Sequence, residues 1–287
     1  MNYLKSILTL VFIISFSTIN AQKNEPLENS VLWKIEHTDL EKTSYLLGTL
    51  HLMCSEDFKL ADKIVNTLKN ADVLVSEINM SNPEEIKAMQ DYMANPKKVS
   101  EELTEEQFNK LDALTQNVIN MPLSNLDNYG LSGLYSIMFS KMLPCSDLKF
   151  MDVELQKLAI ENGLSISAFE KATEQLDYLK KGFSVDFTFN QLMLFESYKT
   201  DFNKAIKLYL EEDIETAVGL ITKEQYMDEN AKKYIQIIRN KNWVKKIPQM
   251  MAESSNVFAV GAAHLTGEEG IINLLRNKGY TITAVLK

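Results

Sequence analysis

The sequence predicts an α/β fold whose central sheet is built from two βαβ half-repeats, with a large helical insertion between them. A Gly-x-x-His-Leu motif occurs near both ends of the chain, at residues 48–52 and 261–265. Each copy follows a short apolar run typical of a buried strand, and a helix-like segment and a second strand come after it. The long stretch between the two copies is mostly helical in its periodicity.

The first half-repeat is predicted over residues 44–78. An apolar strand ends near Gly48, a helix-like segment covers residues 60–68, and a second strand covers residues 73–78. Glycine at a strand end allows a sharp backbone turn, so the histidine that follows should project from the carboxyl edge of the sheet.

The second half-repeat has the same order: a strand that ends near Gly261, a helix over residues 270–276 and a strand over residues 281–285. Parallel pairing through a right-handed crossover is the default for such units. If both units share one sheet, His51 and His264 lie at the same edge. Only three histidines occur in the chain, so two in the same context indicate a shared role.

The helical insertion is predicted over residues 82–250. Residues 82–85 and 104–107 have the composition of helix starts, each with a capping side chain at its first position. Residues 164–169 alternate in polarity as a strand does. Helical periodicity predicts further helices over residues 131–141, 153–162 and 192–251.

The first residues are typical of a signal peptide. Lys5 supplies a positive charge, residues 7–16 are apolar, and Ala21 stands at a cleavage position. The apolar run of about ten residues is too short to span a bilayer as a helix. We therefore expect residues 1–21 to be removed and residues 22–287 to be an exported single domain, periplasmic or secreted, with no membrane span.

The composition is that of an ordinary globular protein, with 45% hydrophobic and 24% charged residues. The net charge of -9 argues against nucleic acid as the main partner. Composition leaves the oligomeric state open.

The two cysteines, Cys54 and Cys145, leave two interpretations open. An exporting pathway permits a disulfide between them, although the sequence does not give their distance. Alternatively, Cys54 and His51 could contribute to a soft-metal site, although no other thiol lies near them in the sequence.

Five polar residues are candidates to join the two histidines: Glu77, Asp152, Glu170, Arg239 and Asn240. Glu77 ends the strand after the first motif, so its carboxylate would face the same sheet edge as His51. Asp152 precedes an apolar helix and could equally be its N-cap. Glu170 stands at the end of a predicted strand, where a solvated carboxylate is the alternative.

Two other polar features have a simpler interpretation on the sequence alone. Arg239 and Asn240 lie late in a helical run, where most such pairs are surface residues. The third histidine, His37, lies in a polar segment before the first motif and is expected to be exposed to solvent.

Two imidazoles and one carboxylate are a workable ligand set for a divalent ion, here His51, His264 and Glu77. Such an ion would activate a water and polarise a scissile carbonyl, and a second carboxylate would accept the proton. Arg239 and Asn240 are suited to holding a developing oxyanion or a substrate carboxylate. The structural alternative is two neutral histidines, each hydrogen-bonded to a backbone carbonyl at a strand end.

An ordered set of motifs in this chain resembles the TraB/PrgY/GumN family, which includes the Tiki metalloproteases. The matching segments span nearly all of the mature chain: residues 48–51, 71–77, 151–155, 169–170, 174–175, 239–243 and 260–265. Before Asp152 the family commonly has Gly-Ile, where this chain has Phe150-Met151. After Glu170 it has Thr, where this chain has Lys171.

The resemblance implies a fold akin to the erythromycin esterase and ChaN-like group, with duplicated βαβ halves around a central sheet. For the Tiki branch it implies metal-dependent hydrolysis of peptide bonds, with His51, Glu77 and His264 as the essential set. It also implies that Arg239 and Asn240 contact the substrate or the transition state. Other branches are described as pheromone-shutdown or polysaccharide-associated proteins, so membership alone does not establish proteolysis.

Three functions therefore stay open. The leading one is an exported metal-dependent hydrolase, most of all a peptidase, that uses Mn²⁺, Co²⁺ or Zn²⁺ on a peptide or small-molecule substrate. The main alternative is a non-catalytic binding protein that sequesters a peptide, haem or metal in the same cleft. The other is a metal-free esterase with a histidine as base, whose activity would survive chelation.

Overall fold

The computed structural model describes residues 26–286, and the predicted signal peptide at residues 1–21 lies outside them. The described chain has a mixed α/β fold, with a central mixed sheet and many helices around it. The predicted α/β class is therefore confirmed.

The central sheet has the strand order β6-β4-β7-β2-β1-β8. The first four strands in this order are parallel to one another, and β1 is antiparallel to both of its neighbours. A separate two-residue ladder joins β3 to β5. The strands are β1 Leu32–Glu36, β2 Ser44–Thr49, β3 Met53–Cys54, β4 Val73–Ser76, β5 Leu148–Lys149, β6 Ser165–Ala168, β7 Asn256–Gly261 and β8 Thr281–Ala284.

Helices pack around this sheet, and most of them lie in the long segment between β4 and β7. They are α1 Asp62–Lys69, α2 Pro83–Met93, α3 Val99–Glu102, α4 Glu105–Ile119, α5 Gly130–Ser140, α6 Met151–Glu161, α7 Ala172–Gly182, α8 Val185–Met193, α9 Phe195–Leu210, α10 Ile214–Ile221, α11 Glu229–Ala231, α12 Ile238–Glu253 and α13 Ile271–Arg276. A π-helical turn, Lys232–Ile237, joins α11 directly to α12, and short 3₁₀ turns cover Leu123–Asn125, Asp127–Tyr129 and Ala262–His264.

Most predicted elements lie where the sequence placed them. The bounds of α1, β4, α5, α6, α13 and β8 differ from the predicted ranges by no more than two residues. Both predicted helix starts are confirmed, because the Asn82 side chain accepts the Glu84 N–H and Thr104 accepts the Gln107 N–H. The predicted helices over residues 192–251 are α9 to α12 with the π-helical turn, and turns separate α9, α10 and α11.

The parallel half of the sheet brings four strand ends together. β7 lies between β2 and β4, with Gly48 opposite Val260 and Thr49 opposite Gly261. Every residue of β7 is buried, as expected for a central strand with helices on both faces. The carboxyl ends of β6, β4, β7 and β2 therefore lie side by side at one edge, where α/β folds form their sites.

Two hydrophobic clusters stabilise the described chain. One surrounds the central sheet, and the other lies among α3, α4, α5, α8 and α9 in the helical middle. Helix α9 contributes to both, with Ala205 and Tyr209 in the first cluster and Phe202 and Ile206 in the second. The helical middle is therefore packed onto the sheet through α9.

Cys54 and Cys145 form a disulfide beside the β3–β5 ladder. The alternative of a soft-metal site with His51 is wrong, because the Cys54 sulfur is bonded to carbon and sulfur and offers no thiolate. The neighbouring carboxylates of Glu56 and Asp57 therefore lack a thiolate partner. The disulfide ties the segment after β2 to the segment before α6.

His37 is only partly accessible, which corrects its predicted exposure. Its side chain is 23% exposed, and its ring centroid lies 4.6 Å from that of Tyr280. No described helix is both long and apolar enough to cross a membrane.

Replacing both cysteines with serine should lower the free energy of unfolding by about 2–5 kcal/mol, since the bridge closes a long loop. The two residues are 91 positions apart, and the open chain would gain the corresponding conformational entropy. Guanidinium unfolding of wild type and C54S/C145S measures the difference. Wild type in reducing buffer should match the variant, and an unchanged midpoint in both would contradict the prediction.

Candidate functional site

Four neighbouring parallel strands each supply one predicted residue to the same sheet edge. His51 follows β2, His264 follows β7, Glu77 follows β4 and Glu170 follows β6. Asp152 comes from the first turn of α6, and Arg239 and Asn240 come from the start of α12. The structure brings all seven into one connected set of contacts.

The motif glycines provide space rather than a sharp turn. Gly261 has an ordinary φ of -51°, and Gly48 is not among the described residues with positive φ. A Cβ at Gly261 would lie 2.8 Å from His51 Nε2, and one at Gly48 would lie 3.0 Å from Leu265 Cδ2. Each motif glycine therefore permits close approach of a neighbouring side chain, in a backbone conformation that does not itself require glycine.

His51 is oriented by Asp152. Its Nδ1 lies 2.7 Å from Asp152 Oδ2, and the other Asp152 oxygen accepts a hydrogen bond from the Thr49 hydroxyl at 2.9 Å. A carboxylate only accepts, so the His51 Nδ1 carries a hydrogen and the Nε2 faces Glu77 Oε1 at 3.9 Å. Asp152 is not the N-cap of α6, because it lies inside the helix at its second residue.

His264 is held in the equivalent tautomer by Asn240. Its Nδ1 lies 2.6 Å from Asn240 Oδ1. An amide oxygen only accepts, so the hydrogen is on His264 Nδ1. The Nε2 then carries a lone pair, with Arg239 Nη1 at 3.2 Å and Glu77 Oε1 at 3.9 Å. Trp243 packs beside the ring at a centroid distance of 4.6 Å.

Glu77 is the point at which these contacts meet. Its Oε2 accepts hydrogen bonds from Arg239 Nη2 at 2.6 Å and from Gln175 Nε2 at 3.1 Å. Its Oε1 accepts the Gly261 N–H at 2.8 Å. The same oxygen lies 3.9 Å from His51 Nε2 and 3.9 Å from His264 Nε2. One oxygen is thus anchored by side chains, and the other faces both imidazoles.

Arg239 is buried between Glu77 and Glu170. Its Nε donates to both oxygens of Glu170 at 3.1 Å, and Trp243 Nε1 donates to Glu170 Oε1 at 2.8 Å. Its Nη1 also donates to the Ile235 carbonyl at 3.1 Å. The guanidinium donors are therefore directed at protein acceptors, in the forked geometry that favours carboxylates.

Asn240 is equally engaged, and the expectation that Arg239 and Asn240 are surface residues is wrong. Their exposed fractions are 4% and 1%. The Asn240 Nδ2 donates to the carbonyls of His264 and Glu269, at 3.2 Å and 2.8 Å. The π-helical turn ends immediately before α12, and such turns often occur at functional sites.

The environment gives these groups unusual pKa values. Burial, reinforced by Arg239, lowers the pKa of His264 to about 3. Burial opposes ionisation of Glu77, but the Arg239 guanidinium holds its pKa well below the usual range. Burial raises the pKa of Glu170, and Arg239 offsets only part of that rise. His264 is therefore neutral and Glu77 ionised at neutral pH.

His51 differs from His264 in both exposure and charge. Desolvation by the surrounding strand ends favours the neutral form of the ring, but the Asp152 and Glu77 carboxylates outweigh this effect and raise its pKa to about 9. The side chain is 59% exposed, so solvent screens these charges in part. Without a bound cation, the His51 ring is protonated at neutral pH.

The donor types of His51, His264 and Glu77 fit a divalent ion, but their spacing is wide. The three ligand atoms do not all lie within 4.8 Å of one another, whereas ligands around one tetrahedral ion are about 3.4 Å apart. His51 can close this gap because its ring is accessible. Arg239 Nη1 would have to leave His264 Nε2, since an ion uses the same lone pair.

Four residues that shape the site are not predicted from the sequence. Thr49 and Gln175 lie within the segments that resemble the family, at residues 48–51 and 174–175, but nothing in the sequence identifies their hydrogen-bond partners. Trp243 supports both Arg239 and Glu170, and only its position one turn after Arg239 could have indicated this. Gln156, also one turn after Asp152, donates to Ser76 Oγ and the Ile78 carbonyl on either side of Glu77.

Arg239→Met should lower the free energy of unfolding by about 3–5 kcal/mol, because Glu77 and Glu170 would be left buried without a counter-charge. Lys241→Met is the matched control: its ion pair with Glu269 is exposed, so the loss should stay below about 1 kcal/mol. Urea unfolding compares the two. Equal losses would show that the buried pairs do not stabilise the fold.

Comparison with known proteins agrees with the motifs. The model of the TraB/PrgY/gumN family matches residues 31–284, which is nearly the whole chain. No curated protein matches the chain significantly. The resemblance predicted from the motifs is therefore confirmed, and the chain belongs to the TraB/PrgY/gumN family.

Proposed function

We propose that this protein is an exported, divalent-metal-dependent hydrolase that acts on peptide bonds, with His51, His264 and Glu77 as metal ligands. The observation that carries the proposal is the shared orientation of the two imidazoles. Both have Nδ1 held by a side-chain oxygen and Nε2 turned towards Glu77 Oε1 at 3.9 Å. Metal-binding histidines characteristically have such a partner on the second nitrogen.

The charges around the site also favour a divalent cation. Asp152, Glu77 and Glu170 supply three carboxylates against the single Arg239 guanidinium. Binding of an ion requires His51 to release its proton, and with both imidazoles neutral the cluster carries an excess of two negative charges, which a divalent ion would balance. When bound, the ion would lower the pKa of a water and polarise the scissile carbonyl.

The protein side chains then have positioning roles. Asp152 and Asn240 orient the two imidazoles, and Arg239 holds Glu77 ionised with one oxygen free to face them. Because the donors of Arg239 and Asn240 are occupied, we assign them positioning rather than direct contact with substrate. Glu170 is the counter-ion of Arg239, and its hydrogen bonds leave it poorly placed to accept a proton.

The metal-free esterase is disfavoured by the two pKa values. A general base works best when its pKa lies near the operating pH. His51 is protonated at neutral pH, with a pKa of about 9, and His264, with a pKa of about 3, is a very weak base. Neither imidazole is suited to accept a proton from a nucleophile at neutral pH.

A non-catalytic binding protein is the second candidate, and a specific contact favours it. Arg239 already occupies the His264 Nε2 lone pair and one Glu77 oxygen. A site neutralised in this way could hold a ligand without activating water. Export is supported for either candidate by the disulfide, because such bonds persist in oxidising compartments.

Metal content provides the first test. Mature wild type reconstituted with Mn²⁺, Co²⁺ or Zn²⁺ should retain close to one equivalent after desalting, and His51→Ala and His264→Ala should each lose it. Elemental analysis measures the content. His37→Ala is the matched control, since His37 lies away from the sheet edge. Absence of metal from wild type under all three conditions would overturn the metal proposal.

Gly261→Ala tests the same site without removing a ligand. The added Cβ would meet His51 Nε2 at 2.8 Å, whereas a Cβ at Gly219 would meet nothing within 4 Å. Gly261→Ala should therefore weaken metal binding while Gly219→Ala leaves it unchanged. Thermal melting of both variants distinguishes a local displacement of His51 from general unfolding.

Glu77→Gln distinguishes an enzyme from a binder. A hydrolase should lose activity by about 100-fold or more, whereas a binder should keep most of its affinity. Peptide libraries analysed by mass spectrometry measure cleavage, and chelation of wild type should abolish it. The exposed Glu161→Gln variant is the control. Cleavage by wild type that resists chelation would contradict the metal mechanism even if Glu77→Gln fails to fold.

A further inference from the structure

A second concave site lies behind His264, on the side away from Glu77. A cavity of about 520 Å³, partly open to solvent, is lined by residues of α10, the π-helical turn and the segment that follows His264. This volume is within the range of small-molecule sites and far exceeds that of a metal ion. Asn240 and Ala263 form part of its wall, so a single side chain separates the cavity from the His264 ring.

The polar lining of the cavity is acidic. Four carboxylates face it against one ammonium group: Glu215, Glu229, Glu268 and Glu269, with Lys232. Glu269 is paired with Lys241, and Glu215 accepts the Leu27 N–H. Glu229 and Glu268 form no ion pair with any described residue, so they contribute uncompensated negative charge.

Gln236 gives an independent indication of a ligand. The residue is 8% exposed, and its Nε2 donates to the Ala263 carbonyl at 3.0 Å. Its Oε1 accepts no hydrogen bond from a described residue, yet it is not sealed inside the protein. Gln236 is one of the residues that line the cavity. Polar atoms of nearly buried side chains are normally hydrogen-bonded, so a ligand with a hydrogen-bond donor would satisfy Gln236 Oε1.

Apolar surface completes the lining. Val218 and Ile237 contribute aliphatic side chains, and Gly219 leaves the wall open where a larger residue would narrow it. A ligand that satisfies all of these groups carries a positive charge with N–H donors at the end of an aliphatic chain. A hydrated inorganic cation would leave the apolar wall without a partner.

We propose that this cavity binds an alkylammonium group, from either a free amine or a lysine side chain of a peptide. The ammonium lies against Glu229 and Glu268 and donates to Gln236 Oε1, and its aliphatic chain packs on Val218 and Ile237. The binding needs no metal and no turnover, so it stands apart from the proposed hydrolase activity.

Calorimetric titration of the metal-free mature protein tests the proposal with three probes. These are 1,5-diaminopentane, acetyl-Gly-Lys-Gly-amide and its norleucine analogue, which keeps the aliphatic chain without the charge. A cationic probe should bind at least tenfold more tightly than the norleucine peptide. Tighter binding by the diamine identifies a free amine as the ligand source, and tighter binding by the lysine peptide identifies a side chain.

Single substitutions test whether the cationic probes bind in this cavity. Glu229→Gln and Glu268→Gln should each weaken the cationic probe about threefold, the scale of an accessible ion pair. Glu224→Gln removes an exposed acid outside the lining and should change nothing. Side-chain amide signals of Gln236 should shift with the cationic probe in ¹⁵N spectra.

Three results would overturn the proposal: no binding of either cationic probe, equal binding of the norleucine peptide, or equal weakening by Glu224→Gln. Gln236→Met, which removes the acceptor, should also weaken binding if its melting temperature shows that it folds. The two glutamate variants decide the question without it, because both residues are exposed and their substitution leaves the core intact.

Discussion

One buried guanidinium is the constraint on which the site depends. Arg239 neutralises Glu77 and Glu170, and moving such charges from water into the protein costs several kcal/mol each unless they are paired. The pairing ties the ends of β4 and β6 to α12. It also sets the electrostatics of the edge, since Arg239 keeps Glu77 ionised and reinforces the effect of burial, which keeps His264 neutral. A shift of α12 along its axis would therefore disturb two strand ends and one imidazole together.

The strand order explains how distant sequence segments converge. Chain segments around residues 51, 77, 170 and 264 meet because β7 lies between β2 and β4, with β6 outside β4. Parallel strands place their carboxyl ends at a common edge, and the two motif glycines let the side chains there approach closely. The disulfide and the β3–β5 ladder then connect the segment after His51 to that before Asp152. The disulfide and the β3–β5 ladder thus restrain the His51 end of the edge, and the ion pairs of Arg239 restrain the ends of β4 and β6.

The sequence predicted local structure and the strand-end residues well, because periodicity and capping are local signals. It located β4 and β6, and hence the positions of Glu77 and Glu170. Burial of Arg239 was not predictable in the same way, since the inward face of α12 depends on the preceding π-helical turn and on tertiary packing. Asp152 shows the same limit: an acid at a helix start has a local explanation as a cap, and only the three-dimensional structure reveals His51 and Thr49 as its partners.

The two histidines occupy matching positions in their motifs but differ in accessibility, with side chains 59% and 6% exposed. His264 is fixed by Asn240 and Trp243, whereas the His51 ring has solvent on one side. A ligand shared by both would dissociate in a set order, with the His51 contact breaking before the His264 contact. A pair of similar motifs thus yields one enclosed imidazole and one accessible imidazole at the same sheet edge.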